Sequence, residues 1–476
     1  MTVVHAFSDD ALGDLDATGV AEAIRSRRVA AVEVIDAALE RAHRLDGTLN
    51  AWEVRDEPAA RRSAAAVDRA LDAGTDPGFF AGVPTAIKDN SDMVGLPTRN
   101  GCDAYPNDPR PADGPFVRLL RSTGAIPLGK SRMSEYGLAA SAEHPRLGAV
   151  ASPWDLERTA GASSSGAAAL VAAGVLPFAH ANDGGGSIRI PAAVNGLVGL
   201  KPTRGRLPLD ALLRTPPLVL VANGVVTRSV RDTAAFLRET DAIVGNGTFE
   251  PVGDVTGPNP ARLRIGMFTD SAYGPAAPDV RVATERTATL LESLGHRVDE
   301  VAGPLTAQYA DDFLLYWRAL AALIVRSGRL LHGRGWDADR LDDFTRSLAA
   351  SFEPRRLPAA VRRLRGARRD SDRLYATYDV LLCPTLGHET PKLGHLDPSL
   401  PFETVLQRTV DWVGFTPIQN VTGEPAITLP LERDANGMPL GMMFGAATGR
   451  ESVLLGLAYE LERAAPWPTL AVSPRP

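Results

Sequence analysis

From Gly82 onward the chain breaks repeatedly into short apolar runs bounded by Gly, Pro, Asn and Asp: GVPTAIKDN, LPTRNG, GAIPLGKS, GVLPFAHANDGGGS and GLVGLKPTRG. Runs of this length between turn formers are consistent with buried strands whose ends carry loops. Helical patterns sit between them, as at Phe116 to Ser122 and Ala167 to Ala173. Strand and helix in alternation restrict the fold to a layered α/β protein built on a sheet. Upstream, residues 18–45 read as two amphipathic helices, with Thr18 placed to cap the first, and a third helix covers about Ala59 to Leu71. Downstream, Gly245 to Pro260 reads as a linker or long surface loop. LRIGMF then reads as a strand and Val280 to Leu294 as a helix. Residues 307–377 read as mostly helical, a mobile cover rather than a separate domain. AITLPL and GMMFGA return to strand texture, and a helix from Arg450 to Ala464 follows.

The charge balance argues against several partner classes. A net charge of −6, from 51 basic and 57 acidic residues, gives no reason to expect nucleic acid or an anionic membrane. The arginine-rich stretch Arg362 to Arg369 is interrupted by Leu, Gly and Ala and reads as a solvated helix face. Two cysteines, Cys102 and Cys383, cannot build a disulfide framework, and no Cys/His cluster suggests zinc. The N-terminal residues lack the basic-then-apolar order of a signal peptide. The apolar stretch Ala167 to Ala181 is broken by Gly174 and Pro177 and is too short to span a bilayer. A cytoplasmic protein is the expectation.

Three segments carry chemistry. In Asp183-Gly184-Gly185-Gly186-Ser187, three glycines let the backbone approach a ligand, and N–H groups turned inward would hold an oxyanion. A serine directly after such a loop can attack a carbonyl whose oxygen sits there. In Gly161-Ala162-Ser163-Ser164-Ser165-Gly166, a run of hydroxyls precedes an Ala-rich helix; alone, it reads as a helix cap. In Gly82 to Asn90, Lys88 ends an apolar, strand-like run where burial would lower its pKa and make it usable as a base. Pairing with Asp89, or escape to solvent, is the alternative for Lys88 taken singly.

Together these segments resemble the amidase signature family. The motifs are GASSSG, DGGGSIRIPA and GLVGLKPTRGR, with Ser163 and Ser187 24 positions apart. Supporting matches are GVPTAIKDN, GAIPLGKSRMSEYG, TRSVRDTA, YDVLLCPT and NVTGEPAITLPL, so the likeness covers nearly the whole chain and is weakest from about 240 to 375. The resemblance implies the amidase signature fold, a large central twisted mixed β-sheet flanked by helices on both faces. It implies one amidase domain over 1–476: N-terminal helices (1–75), a catalytic signature core (76–240), a variable, mostly helical cover (241–375) and the C-terminal part of the core (376–476). Carried over residue by residue, Ser187 is the nucleophile, Ser163 a bridging serine on a cis peptide bond, and Lys88 the general base. The backbone N–H groups of Gly184, Gly185, Gly186 and Ser187 make the oxyanion hole. No metal or organic cofactor is called for.

The sequence departs from the family pattern at Ala162 and Ser165, usually glycines, at Gly184, often Thr, and at Met443, often Gln. None of these removes a group the chemistry needs; they bear on specificity. By resemblance and position, Tyr136, Phe415, Met443 and the 307–377 region are expected to line the pocket. The substrate expected is a small, hydrophobic linear or cyclic amide or a carbamate, with esterase and urethanase side activity. A homodimer is the working expectation, which nothing in the sequence itself specifies. The same signature occurs in the glutamine-hydrolysing subunit of tRNA-dependent amidotransferases, the main alternative. Residues 124–131, GAIPLGKS, match a nucleotide-binding loop letter for letter. Pro127 lacks the N–H such a loop needs, and Ile126 and Leu128 look like strand core. Lys130 is expected instead as a strand-end residue near the site. His180 is read as another strand-end residue, not a catalytic one.

Overall fold

A computed structural model describes residues 2–245, 247–304 and 306–471. Its centre is an eight-stranded mixed sheet. The strand order is Arg297–Glu300, Arg264–Met267, Val380–Pro384, Pro439–Ala446, Ala426–Arg433, Val198–Lys201, Ala222–Thr227 and Phe178–Asp183. The first three strands run parallel and the remaining pairs antiparallel. Successive residues of a strand face opposite sides, and both sides are covered. Along Pro439–Ala446, Gly441 meets Ala193 of the helix Arg189–Val194, while the next residue, Met442, contacts Thr284 of the helix Pro278–Ser293. A Cβ on Gly441 would come 2.5 Å from that of Ala193, so glycine sets how closely helix and sheet approach.

A second sheet of three strands, Trp52–Arg55, Ile126–Ser131 and Pro84–Lys88, abuts the edge strand Phe178–Asp183. The seam is polar. Thr85 donates to the Phe178 carbonyl (3.2 Å), and the Lys88 N–H donates to His180 Nδ1 (3.2 Å). His180 is therefore a mid-strand residue that joins two sheets, not a strand end. Its ring stacks on Phe116, and Nε2, left to carry the proton, donates to Asn223 Oδ1. Burial, with smaller contributions from Lys88 and Lys130, pushes its pKa down to about 3.

The helices expected near the N-terminus occupy Ala17–Arg25, Ala31–Leu49 and Glu57–Asp72. The first is capped by Asp16, which accepts from Gly19 N–H, and not by Thr18, whose hydroxyl donates to Asp232. LPTRNG forms no strand. Its backbone wraps Asp89, with the Arg99 and Gly101 N–H groups donating to that carboxylate. Residues 126–131 are a fully buried strand, and Lys130 pairs with Asp89 at 3.0 Å and donates to Pro97 O and Thr98 Oγ1. No open phosphate cradle exists there. The cover region forms the helices Ala307–His332, Asp343–Ala350 and Leu357–Tyr375. No helix among the described residues is long and apolar enough to cross a membrane.

The helix Phe402–Val413 seats Trp412, fully buried, in one apolar cluster with Ile190 and Val194 of the helix that follows the glycine loop. Trp412→Ala is expected to lower stability by about 3–5 kcal/mol, read from urea denaturation.

Candidate active site

Lys88 ends its strand with a side chain only 1% exposed. Its Nζ lies 2.7 Å from Ser163 Oγ, 2.8 Å from Asn182 Oδ1 and 3.2 Å from Asn182 O. No carboxylate forms an ion pair with it within the described residues. Burial lowers its pKa to about 7 against the attraction of Asp183. A neutral amine in hydrogen-bond contact with a hydroxyl is thus accessible near neutral pH.

Ser163 follows a cis peptide bond from Ala162. Its neighbours brace it. Ser164 precedes the helix Ser165–Ala172 without capping it through its side chain, and its Oγ donates instead to the Ser187 carbonyl (2.6 Å), linking the two serine segments. The Ser165 hydroxyl, one of the departures noted above, donates to the Gly161 carbonyl and does not compete for the site. Gly137, at φ 72°, packs so closely that a Cβ there would come 3.1 Å from Ser163 Oγ.

The loop after the edge strand is shaped by one carboxylate. Asp183, fully buried, accepts from Gly186 N–H (2.8 Å) and Ile188 N–H (3.2 Å), and Arg189 grips both its oxygens (2.9 and 3.0 Å). Burial opposes its ionisation, but Arg189, Lys201 and Asn420 together hold its pKa down to about 2. Arg189 also donates to Gln419, Asn420 and Met443 Sδ. The expectation of four oxyanion donors is corrected here. Gly186 N–H is committed to Asp183, because a buried carboxylate must be hydrogen-bonded. The N–H groups of Gly184, Gly185 and Ser187 donate no hydrogen bond to the described residues. Gly186 adopts φ 132°, and a Cβ there would come 2.3 Å from Thr416 Oγ1.

Ser187 opens onto a partly open apolar pocket. Its walls are Gly137, Leu138, Ala139, Ala140, Ala162, Gly185, Ile190, Tyr273, Phe313, Leu314, Trp317, Phe344, Leu406, Thr409, Val410, Val413 and Pro417, none of them charged. The Ser187 hydroxyl makes no hydrogen bond with Ser163 or any other described group. The structure therefore joins Lys88 to Ser163 by a hydrogen bond and leaves Ser187 facing the cavity.

Of the expected pocket residues, Tyr136 lies beside the lining residue Gly137 without lining the cavity itself. Phe415 and Met443 do not line it either. Phe415 is buried against Phe268 in the main core, and Met443 sits on a sheet face where its sulfur accepts from Arg189. Phe313, Leu314, Trp317 and Phe344 come from the 307–377 region named in the sequence analysis, though no side chain was singled out there, and Trp317 is fixed by Nε1 donating to the Leu138 carbonyl. Sequence reasoning missed Asn182 and Asn90. The available signal for the asparagines was polarity: each sits where an apolar run meets a catalytic motif.

A family model described as Amidase matches residues 33–455. The protein of Mycobacterium leprae (strain TN) provisionally named amidase AmiC is 54% identical over 99% of this chain and all of its own length. The 6-aminohexanoate-cyclic-dimer hydrolase of Pseudomonas sp. (strain NK87) is 33% identical, with 95% of each chain covered. A solved structure of 6-aminohexanoate cyclic dimer hydrolase complexed with substrate superposes with a TM-score of 0.85 at 31% identity, covering 97% of this chain and 99% of its own.

Gly186→Ala, by forcing the loop away from Thr416 and with it the uncommitted N–H groups of Gly185 and Ser187, is expected to lower kcat by about 10²-fold or more, in steady-state assays of amide hydrolysis.

Proposed function

This chain belongs to the amidase signature family, and from that premise we propose that it hydrolyses hydrophobic amides through Ser187 as nucleophile, Lys88 as base and Ser163 as the hydroxyl between them. Amide hydrolysis is the activity that membership brings. The finer assignment rests above all on one observation, the 2.7 Å contact between the buried Lys88 amine and Ser163 Oγ.

In this reading the neutral amine takes the Ser163 proton as Ser163 takes that of Ser187. The Ser187 hydroxyl, which holds no competing partner, turns toward Ser163 when substrate enters; catalytic hydrogen bonds are often loose before that. Its oxygen bonds to the amide carbon while the carbonyl π pair moves onto oxygen. The oxyanion meets the uncommitted N–H groups of Gly184, Gly185 and Ser187. The C–N bond then breaks, and the leaving amine receives the proton held on Lys88 by way of Ser163. Water repeats the sequence on the acyl-enzyme and regenerates Ser187. This is triad logic with lysine in the place of histidine.

The walls of the cavity support an apolar acyl or amine group. Glutamine, with its ammonium and carboxylate, would need charged partners, and the lining residues offer none, so the amidotransferase-subunit reading is the weaker one. Linear and cyclic amides fit the proposal alike. Carbamates and esters present the same electrophilic carbon and enter it as secondary substrates.

A panel of anilides, aliphatic amides, carbamates and glutamine tests the reading. Ser187→Ala should lower kcat by about 10⁴-fold or more on every substrate the wild type hydrolyses; undiminished turnover in that variant refutes the assignment. The base works only when neutral, so kcat/KM should rise with pH and be lost as pH falls through about 7. Lys88→Met should abolish both the activity and that acidic limb.

A further inference from the structure

A neutral amine has two N–H bonds and one lone pair, and it can serve as a base only through the lone pair. Around Lys88 Nζ stand three oxygens: Ser163 Oγ at 2.7 Å, Asn182 Oδ1 at 2.8 Å and the Asn182 carbonyl at 3.2 Å. The two Asn182 oxygens can only accept. The Ser163 hydroxyl alone can donate. We propose that Asn182 is the positioning residue of the Lys88 base: its two oxygens take both N–H bonds of the neutral amine, which leaves the lone pair aimed at Ser163. This inference rests on the reading of Lys88 as base and adds what gives that base its direction.

The orientation of the Asn182 amide is itself determined. Its Nδ2 donates to Asn90 Oδ1 (2.8 Å), and Asn90 Nδ2 returns a longer bond to Asn182 Oδ1 (3.3 Å). The two amides can exchange their hydrogen bonds under either joint assignment; the ammonium form of Lys88, which can only donate, is what requires Oδ1 to face Nζ. Asn90 lies two residues beyond Lys88, so the turn that follows the strand delivering the amine also delivers the group that orients its partner. Asn182 is 4% exposed on the strand Phe178–Asp183, beside the loop that carries Ser187. Without Oδ1, one N–H would be free to turn toward Ser163 Oγ, and the lone pair would then face away from the proton it must accept. The same two oxygens hold the ammonium once the proton has moved, when all three N–H bonds need acceptors.

Asp183 attracts the ammonium, and His180, whose Nδ1 accepts the Lys88 backbone N–H, is neutral. A carboxylate at position 182 would therefore be a new charge next to Nζ, and this separates positioning from scaffolding. Asn182→Ala, assayed on an anilide that the wild type hydrolyses, should lose about 100-fold in kcat, the lower end of what a placed base contributes. Its KM should stay within about twofold, because the cavity walls are untouched. Asn182→Asp restores both acceptors with a negative charge, so its acidic limb should move up by about 1–2 pH units. Its kcat above that limb should return to within about tenfold of wild type. Should Asn182→Ala fail to fold, as judged by circular dichroism, Asn182→Asp decides alone, and an unmoved limb overturns the proposal. An Asn182→Ala variant with wild-type kcat and limb overturns it as well. Lys88→Met keeps the two readings apart. If that variant stays active, the base assignment falls; if it is dead while Asn182→Ala is unimpaired, the base stands and the positioning role does not.

Discussion

The ionised carboxylate of Asp183 is the interaction on which the site is built. It lies wholly inside the protein, where an isolated charge would cost several kcal/mol. It persists because donors converge on it from two parts of the chain: the N–H groups of Gly186 and Ile188 with the guanidinium of Arg189, and the side-chain amide of Asn420. Each of these bonds also shapes something. The backbone bonds curl the glycine loop so that Ser187 faces the cavity. Arg189, forked across both oxygens, ties the following helix to Gln419 and Asn420. The conformation of the loop is the solvation shell of one buried anion.

The same pair sets the electrostatics at Lys88. Arginine stays charged under all ordinary conditions, so Arg189 answers most of the Asp183 charge from within hydrogen-bond distance. What remains of that charge raises the affinity of Lys88 for its proton, and burial outweighs it. Lys130 shows the contrast: equally buried, it sits directly on Asp89 and forms a structural ion pair. Two lysines in neighbouring strands thus take different roles because one meets a carboxylate and the other a hydroxyl.

Much of this was legible in the sequence, and the limits have physical causes. Lys88, Ser163 and Ser187 stood out because each lies in a local motif whose residue types are unusual together. The alternation of short apolar runs and helical patterns is enough for the α/β class and for most strands of the sheet. The 307–377 region was named, but its wall-forming side chains were not legible: Phe313, Trp317 and Phe344 lie on amphipathic helices, and a side chain facing a cavity has the same periodicity as one facing the core. Phe415 and Met443 were misplaced because nearness to a motif does not say which side of an element a residue takes. Met443 lies on the face that meets Arg189, while Met442 beside it meets Thr284. The commitment of Gly186 N–H was hidden because a run of glycines does not say which of its N–H groups a neighbouring carboxylate will claim. Asp16 capped the first helix in place of Thr18 because the Thr18 hydroxyl was drawn to Asp232, more than two hundred residues away.

The seam at His180 and the anchoring at Asn420 have a consequence for synthesis of the chain. Lys88, Ser163 and Ser187 all lie within the first 187 residues, yet the loop that presents Ser187 is held by Gln419 and Asn420. Contacts across such sequence separations form late. A polypeptide still emerging from the ribosome therefore carries a lysine and two serines of ordinary reactivity. The contacts that shape their surroundings close only when nearly the whole chain has been made, so the site proposed here assembles last.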